Sequence, residues 1–216
     1  MKHNVFANSE TANSYDAYYQ TEFGKKVDEI ERQIVGSLIQ DVPRTRMLEL
    51  GCGTGHWSAY FIDQGFGLTG IEISEAMLKL ALQKELNADF IQADSQDIPF
   101  GDESFAVVSS ITMLEFVDNQ DSVFQEIYRV LKPGGWLILG CLNARSVLGE
   151  NKDQDETFKN AQFLTAEELT NKLQRFGEPI LKSGVFLITD FILLDELPDP
   201  GNVHPVFIAA IVQKTK

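Results

Sequence analysis

Short apolar runs alternate along the chain with longer segments in which apolar positions recur every three or four residues. The runs at 46–50, 67–73, 89–92 and 105–110 follow one another at spacings of about 20 residues, and a fifth spans 136–142. Between them, 56–64, 75–85 and 121–131 carry the helical period; in the last, Val123, Phe124, Ile127, Val130 and Leu131 fall on one face. This alternation predicts βαβ units around a mostly parallel sheet. The sequence Lys132-Pro133-Gly134-Gly135 supplies turn dihedrals at the approach to the fifth strand.

Two flanks differ from this core. Residues 14–39 read as one helix with Val27, Ile30, Ile34, Val35 and Leu38 on a stripe, and Tyr15, Tyr18 and Tyr19 share a face at its start. Residues 145–159 are polar and rich in Asp, Glu and Asn, the composition of a loop or poorly ordered insertion. Thr165 with Glu168 three residues on forms a capping-box pattern and predicts a helix to about residue 176. Two β-rich runs, 180–194 and 203–213, are split by Pro198-Asp199-Pro200-Gly201 and predict an antiparallel pair that finishes the sheet. A length of 216 residues suits one domain with a core large enough to need no staples.

Charge narrows the partners. Eighteen basic against 32 acidic residues give −14, which repels a phosphate backbone, and no basic patch offsets it, so nucleic acid is not an expected partner. Two cysteines, Cys52 and Cys141, are too few for a disulfide framework, and no long uncharged apolar stretch or leader-like start is present; the expectation is a cytoplasmic protein without a membrane span. Two cysteines and three scattered histidines do not make a zinc set, so no metal is expected.

The chemistry concentrates at strand ends. Leu48-Glu49-Leu50-Gly51-Cys52-Gly53-Thr54-Gly55 is a glycine-rich turn between a predicted strand and helix. Its G-x-G-x-G spacing departs from the dinucleotide fingerprint G-x-G-x-x-G, whose third glycine would fall on His56, and no Gly-Lys-Ser/Thr of a phosphate loop follows. Glu49 beside the turn repels phosphate and suits a cationic ligand. Glu72 closes the second strand, where a carboxylate can accept from ribose hydroxyls. Asp94, after the third, can accept from an adenine amine, with Ile73 and Met77 placed to sandwich the ring. Each feature alone also reads as ordinary strand-end structure; three on one sheet edge are more specific.

These residues resemble the class I S-adenosylmethionine-dependent methyltransferases, in particular the small-molecule group with a Leu-Glu-Leu-Gly-Cys-Gly-Thr-Gly signature. The likeness runs from Met47 to Leu142 through the glycine loop, Glu72, Asp94, Ile98-Pro99-Phe100 and Lys132-Pro133-Gly134-Gly135. It implies a Rossmann-like, doubly wound α/β fold with seven strands in the order 3-2-1-4-5-7-6, the seventh antiparallel. It implies S-adenosylmethionine as cofactor, S-adenosylhomocysteine as product and a small-molecule acceptor. The resemblance assigns Glu49, Gly51, Cys52, Gly53, Glu72, Ile73, Met77, Asp94, Ser95 and Ser110 to the cofactor. It also divides the chain into a helical lid (1–40), a cofactor-binding core (41–142) and a substrate-side region (143–216), with Tyr15 and Tyr19 closing the lid and Lys25 placed to pair with the cofactor's carboxylate.

Methyl transfer from a sulfonium needs alignment more than a protein nucleophile, and a base only where the acceptor must lose a proton. No catalytic residue is nominated outright. Relatives often carry His where Glu115 stands, which makes Glu115 a candidate base or cation-binding group; it equally reads as a helix-surface glutamate. His56 reads as a first-turn residue touching backbone or the cofactor's carboxylate. Topology offers Met113, Glu115, Asn143, Arg145 and Phe163 to the acceptor. Relatives usually have Asp where this chain has Ala106. A cofactor-binding protein without turnover, regulatory in role, would display the same binding residues and stands as the alternative.

Overall fold

The computed structural model describes residues 5–188, 192–193 and 203–215. In chain order the elements are α1 (Ser9–Tyr18), α2 (Glu22–Leu38), β1 (Arg46–Leu50), α3 (His56–Asp63), β2 (Gly67–Glu72), α4 (Glu75–Gln83), β3 (Ala88–Gln92), β4 (Phe105–Ile111) and α5 (Gln120–Val130). There follow β5 (Leu131–Leu142), α6 (Val147–Asn151), α7 (Ala166–Leu173), β6 (Ile180–Ile188), β7 (Ile192–Leu193) and β8 (Pro205–Gln213). The sheet order is β3-β2-β1-β4-β5-β8-β6, with the two-residue β7 added at the β6 edge. Strands β1 to β5 pair in parallel, while β8 runs antiparallel to both β5 and β6. With β8 as the seventh long strand, this is the expected order, and the fold is Rossmann-like.

Strand alternation divides the core into two layers. Leu48 and Leu50 of β1, with Leu137, Leu139 and Cys141 of β5, face α5 and α7 through Phe124, Ile127, Leu169 and Leu173. Met47 of β1 and Ile138 of β5 face the other way, toward Val27 and Val35 of α2 and Trp57 and Phe61 of α3. Helix starts follow side-chain caps: Ser74 accepts from the Met77 amide, Asn119 from Ser122, and Thr165 and Glu168 close the predicted capping box.

Three local expectations change. The single helix over 14–39 is two helices, because Thr21 both donates to the Tyr18 carbonyl at 2.7 Å and accepts from the Gly24 amide at 2.9 Å, closing α1 and capping α2. Gly24 is required there, since a Cβ would strike the Tyr18 carbonyl. The 145–159 segment is not a plain loop: Ser146 accepts from the Gly149 amide and starts α6, followed by a 3-10 turn, Lys152–Gln154. The Lys132–Gly135 turn lies inside β5, bulging opposite Ala106 where the β4 register jumps from Phe105↔Leu131 to Val107↔Trp136. The turn predicted at 198–201 lies outside the described residues.

Candidate active site

At the carboxyl ends of β1, β2 and β4 the chain encloses a cleft of about 60 Å³. β1 ends in a turn with Gly51 at φ +67° and Gly53 at φ +55°, and the amides of Gly51 and Cys52 both donate to the Ile71 carbonyl, at 2.8 and 3.0 Å. Gly51 must lack a side chain, because Met113 lies directly against it. Glu72 holds the turn: its Oε2 accepts from the Gly53 amide at 3.0 Å and its Oε1 from the Ser74 amide at 2.7 Å. Glu72 also lines the cleft, and a carboxylate's four lone pairs are not all taken up by these amides. Burial raises its carboxyl above the ordinary range, against the lowering effect of those amides. Ile73, Met77 and Ser95 complete this side.

The amino-terminal segment crosses over the cleft. The Phe6 carbonyl accepts from the Ser74 hydroxyl at 2.6 Å, and its ring meets Phe116 at 4.9 Å and Tyr15 at 6.0 Å. Helix α1 is clasped twice more. Asp16 accepts from Thr54 at 2.5 Å and pairs with Lys84 at 2.8 Å. Tyr19 stacks on His56 at 3.6 Å between centroids, and the His56 Nε2 lies 2.7 Å from Asp28 and 3.0 Å from Arg32. Burial raises the Asp28 carboxyl, but hydrogen bonds from His56 and Arg32 outweigh it and hold the group low. His56 therefore ties the loop to α1 and α2.

A second cavity of about 460 Å³ adjoins the first, with Phe6, Tyr15, Thr112 and Phe116 common to both walls. It reaches α1, α2, the 148–158 segment and the inner ends of β6 and β8. Thr112, at the junction, takes φ +48°, a strained value for a β-branched residue of the kind that gathers at functional sites. Residues that pattern alone did not single out, namely Phe6, Glu31, Ser74, Thr112, Phe116 and Phe158, thus border the two spaces or hold their walls. Only Glu31 had a sequence signal, a charge on an apolar stripe.

The anticipated residues divide. Tyr15, Gly51, Gly53, Glu72, Ile73, Met77 and Ser95 line the cleft. Glu49 lies on the α3 face of β1, where its Oε2 accepts from Ser58 at 2.5 Å and burial pushes its carboxyl up to about 8. Cys52 packs beneath Gly70, Ser110 is buried in the sheet, and Asp94 accepts from the Gln96 amide at 2.8 Å; none of these three lines the cleft. Tyr19 faces the larger cavity. Of the acceptor candidates, Met113 lines the cleft. Glu115 is no surface glutamate: it is 2% exposed, its Oε1 accepts from the Leu142 amide at 2.5 Å, and burial raises its carboxyl to about 7. Asn143 is spent on the Pro205 carbonyl and the Arg145 amide, Arg145 is exposed, and Phe163 backs Phe158 at 5.6 Å. Lys25 is exposed and lines neither cavity.

Comparison with known proteins bears on the family and the fold. Residues 48–139 match the methyltransferase domain family. An uncharacterized protein of Methanocaldococcus jannaschii is 32% identical over 210 residues, covering 94% of this chain and 99% of its own. Malonyl-acyl-carrier-protein O-methyltransferase of Enterobacter lignolyticus is 32% identical over 123 residues, 56% of this chain and 49% of that one, so the chain spans about half of that enzyme. The crystal structure of an S-adenosylmethionine-dependent methyltransferase of Thermotoga maritima, described as a possible histamine N-methyltransferase, superposes with a TM-score of 0.77 at 27% identity, over 96% of this chain and 97% of that one. The chain belongs to the class I S-adenosylmethionine-dependent methyltransferases.

Among the described residues no helix is long and apolar enough to cross a membrane, and no group of three or more His, Cys, Asp or Glu could hold a metal.

Proposed function

We propose that this protein transfers a methyl group from S-adenosylmethionine to a small-molecule acceptor by in-line displacement, with the cofactor in the cleft and the acceptor in the larger chamber. The observation that carries the reading is the shared wall: Phe6, Tyr15, Thr112 and Phe116 border both spaces, so molecules in the two would meet there. The residues fit the cofactor the family implies. Gly51 and Gly53 leave backbone open to its methionine part, Glu72 has lone pairs for ribose hydroxyls, and Ile73 and Met77 offer apolar surface for a base. When bound, the cofactor supplies an electrophilic methyl on a good leaving group.

The protein's own part is alignment and dryness. The junction is walled by the rings of Phe6, Tyr15 and Phe116 with Thr112, so a bound acceptor would displace water where its reacting atom approaches. At about 60 Å³ the cleft is well below the roughly 300 Å³ of small-molecule sites, so we expect its walls, Phe6 and Met113 among them, to move when the cofactor enters. The segment from Phe6 through α1 serves as the lid. Glu115, held by a backbone amide and lining neither cavity, is given no proton-transfer role. Two buried free cysteines suit the reducing cytoplasm in which we place the protein.

Calorimetric titration with S-adenosylhomocysteine and with NAD tests the cofactor, and a screen for labelled-methyl transfer tests turnover. Saturable S-adenosylhomocysteine binding and transfer to a small metabolite are expected. NAD binding without S-adenosylhomocysteine binding overturns the assignment; cofactor binding with no transfer across a broad panel favours a non-catalytic binding protein.

A further inference from the structure

The buried face of α2 is Gly24, Val27, Glu31 and Val35, successive turns of one stripe. Glycine and valine are what a helix packed on a sheet presents. Glu31 is a carboxylate in the same row, and it is 6% exposed. Buried carboxylates are normally paired or hydrogen-bonded, because leaving water is costly. Among the described residues, no hydrogen-bond donor and no cation meets the Glu31 oxygens. Its neighbour Arg32 is turned to Asp28, at 2.8 Å, and to His56. Glu31 instead forms part of the wall of the 460 Å³ chamber.

The rest of that wall has a consistent character. Tyr15, Tyr18, Tyr19, Phe23, Phe116 and Phe158 present aromatic surface to it. Among the described residues its charged groups are Glu31 and the exposed Asp155, both acidic, and none is Lys, Arg or His. Ring faces attract cations, most strongly where water is excluded, and a buried carboxylate adds to that attraction. An anionic ligand would keep Glu31 in its neutral form and would find no base among the described residues of the wall. The volume lies within the roughly 300–1,000 Å³ of small-molecule sites and accommodates a body of a ring or two.

We propose that the chamber selects an acceptor bearing a protonated amine on an apolar body, with the nitrogen held between Glu31 and the tyrosine rings of α1. This rests on reading the chamber as the acceptor site of a methyltransferase. The electrostatics of the ligand-free protein agree with it. Burial raises the Glu31 carboxyl to about 8, Asp28 and Glu115 add to the rise, and Arg32 opposes it. Tyr15 is pushed up to about 12, and Tyr18 and Tyr19 are also raised, by burial first of all, so all three stay neutral. An ammonium arriving beside Glu31 supplies the missing partner and drives its ionisation, so near neutral pH binding releases a proton.

The test is titration of the full chain, saturated with S-adenosylhomocysteine, with phenethylamine, benzyltrimethylammonium and the anion phenylacetate. Both cations should bind saturably and phenylacetate about tenfold or more weaker. Glu31→Gln, which keeps the shape of the side chain, should weaken both cations by about tenfold or more while S-adenosylhomocysteine affinity stays within about twofold, the control for folding. Tyr18→Leu, altering only the aromatic wall, should weaken benzyltrimethylammonium but not S-adenosylhomocysteine. Cations that bind no better than phenylacetate, or as tightly to Glu31→Gln as to the parent, overturn the proposal. Absence of S-adenosylhomocysteine binding to the parent protein would refute the methyltransferase reading instead, and the amine titrations on the cofactor-free protein would then judge the chamber separately.

Discussion

Glu72 does two jobs with one carboxylate, holding the Gly53 and Ser74 amides while facing the cleft. Glu72→Ala leaves two amides to find new partners and removes a ligand, so S-adenosylhomocysteine affinity should fall by about 1–3 kcal/mol, read by calorimetry. The raised carboxyls make a second prediction. Glu31 and Glu49 move from an ordinary 4.5 to about 8 and Glu115 to about 7. A group raised on folding stabilises the protein fully below its unfolded value and ceases to do so as pH climbs through its folded value. Asp28, Glu126 and Glu168 are lowered instead, so their contributions are lost only at more acid pH. The melting temperature of the ligand-free protein should therefore decline from about pH 5 to about pH 8.5, and Glu31→Gln or Glu49→Gln should flatten the decline. A flat profile in the parent protein would contradict these environments.

At the scale of elements, α1 is bound to the site by polar contacts, with the Asp16–Lys84–Thr54 cluster as one clasp. Asp16 and Lys84 are about a third exposed, so the pair itself contributes less than about 1 kcal/mol to global stability. Asp16→Ala should accordingly leave the melting temperature almost unchanged while speeding S-adenosylhomocysteine dissociation in stopped-flow, because the lid opens more often. An unchanged dissociation rate would mean that α1 does not gate the cleft. Gly24→Ala acts differently, forcing the start of α2 off the Tyr18 carbonyl, and should destabilise the fold by about 1–3 kcal/mol in chemical denaturation.

Over the whole molecule, a charge of −14 surrounds the cleft in which we place a cofactor carrying a sulfonium and an ammonium. Its long-range field should favour encounter with cations, so the association rate for S-adenosylmethionine should fall as salt rises from about 0.01 to 0.5 M. A salt-independent rate would assign the acidity to solubility alone. If the acceptor is an amine, the same field acts on it, and the acidic surface and the Glu31 chamber work in one direction.

Local sequence was sufficient for the parallel core. The period of the apolar runs placed β1 to β5 and α3 to α5 to within a few residues, and the capping box marked α7, because each element carries its own hydrophobic face and its own cap. The glycine loop and Glu72 were legible for the same reason, since turn dihedrals and a strand-end carboxylate are properties of a few adjacent residues. The break between α1 and α2 depends on which of two uses Thr21 finds for its hydroxyl, and the fate of Glu49 on which face of β1 it occupies. The second cavity is wholly tertiary. Phe6, Glu31, Thr112, Phe158 and Val206 come from five distant parts of the chain, and nothing local marks them as neighbours. The family and the glycine-loop wall of the cleft thus follow from the sequence, whereas the shape and charge of the larger chamber arise only when α1, α2 and the 148–158 segment fold over the sheet edge, because no short stretch encodes that long-range packing.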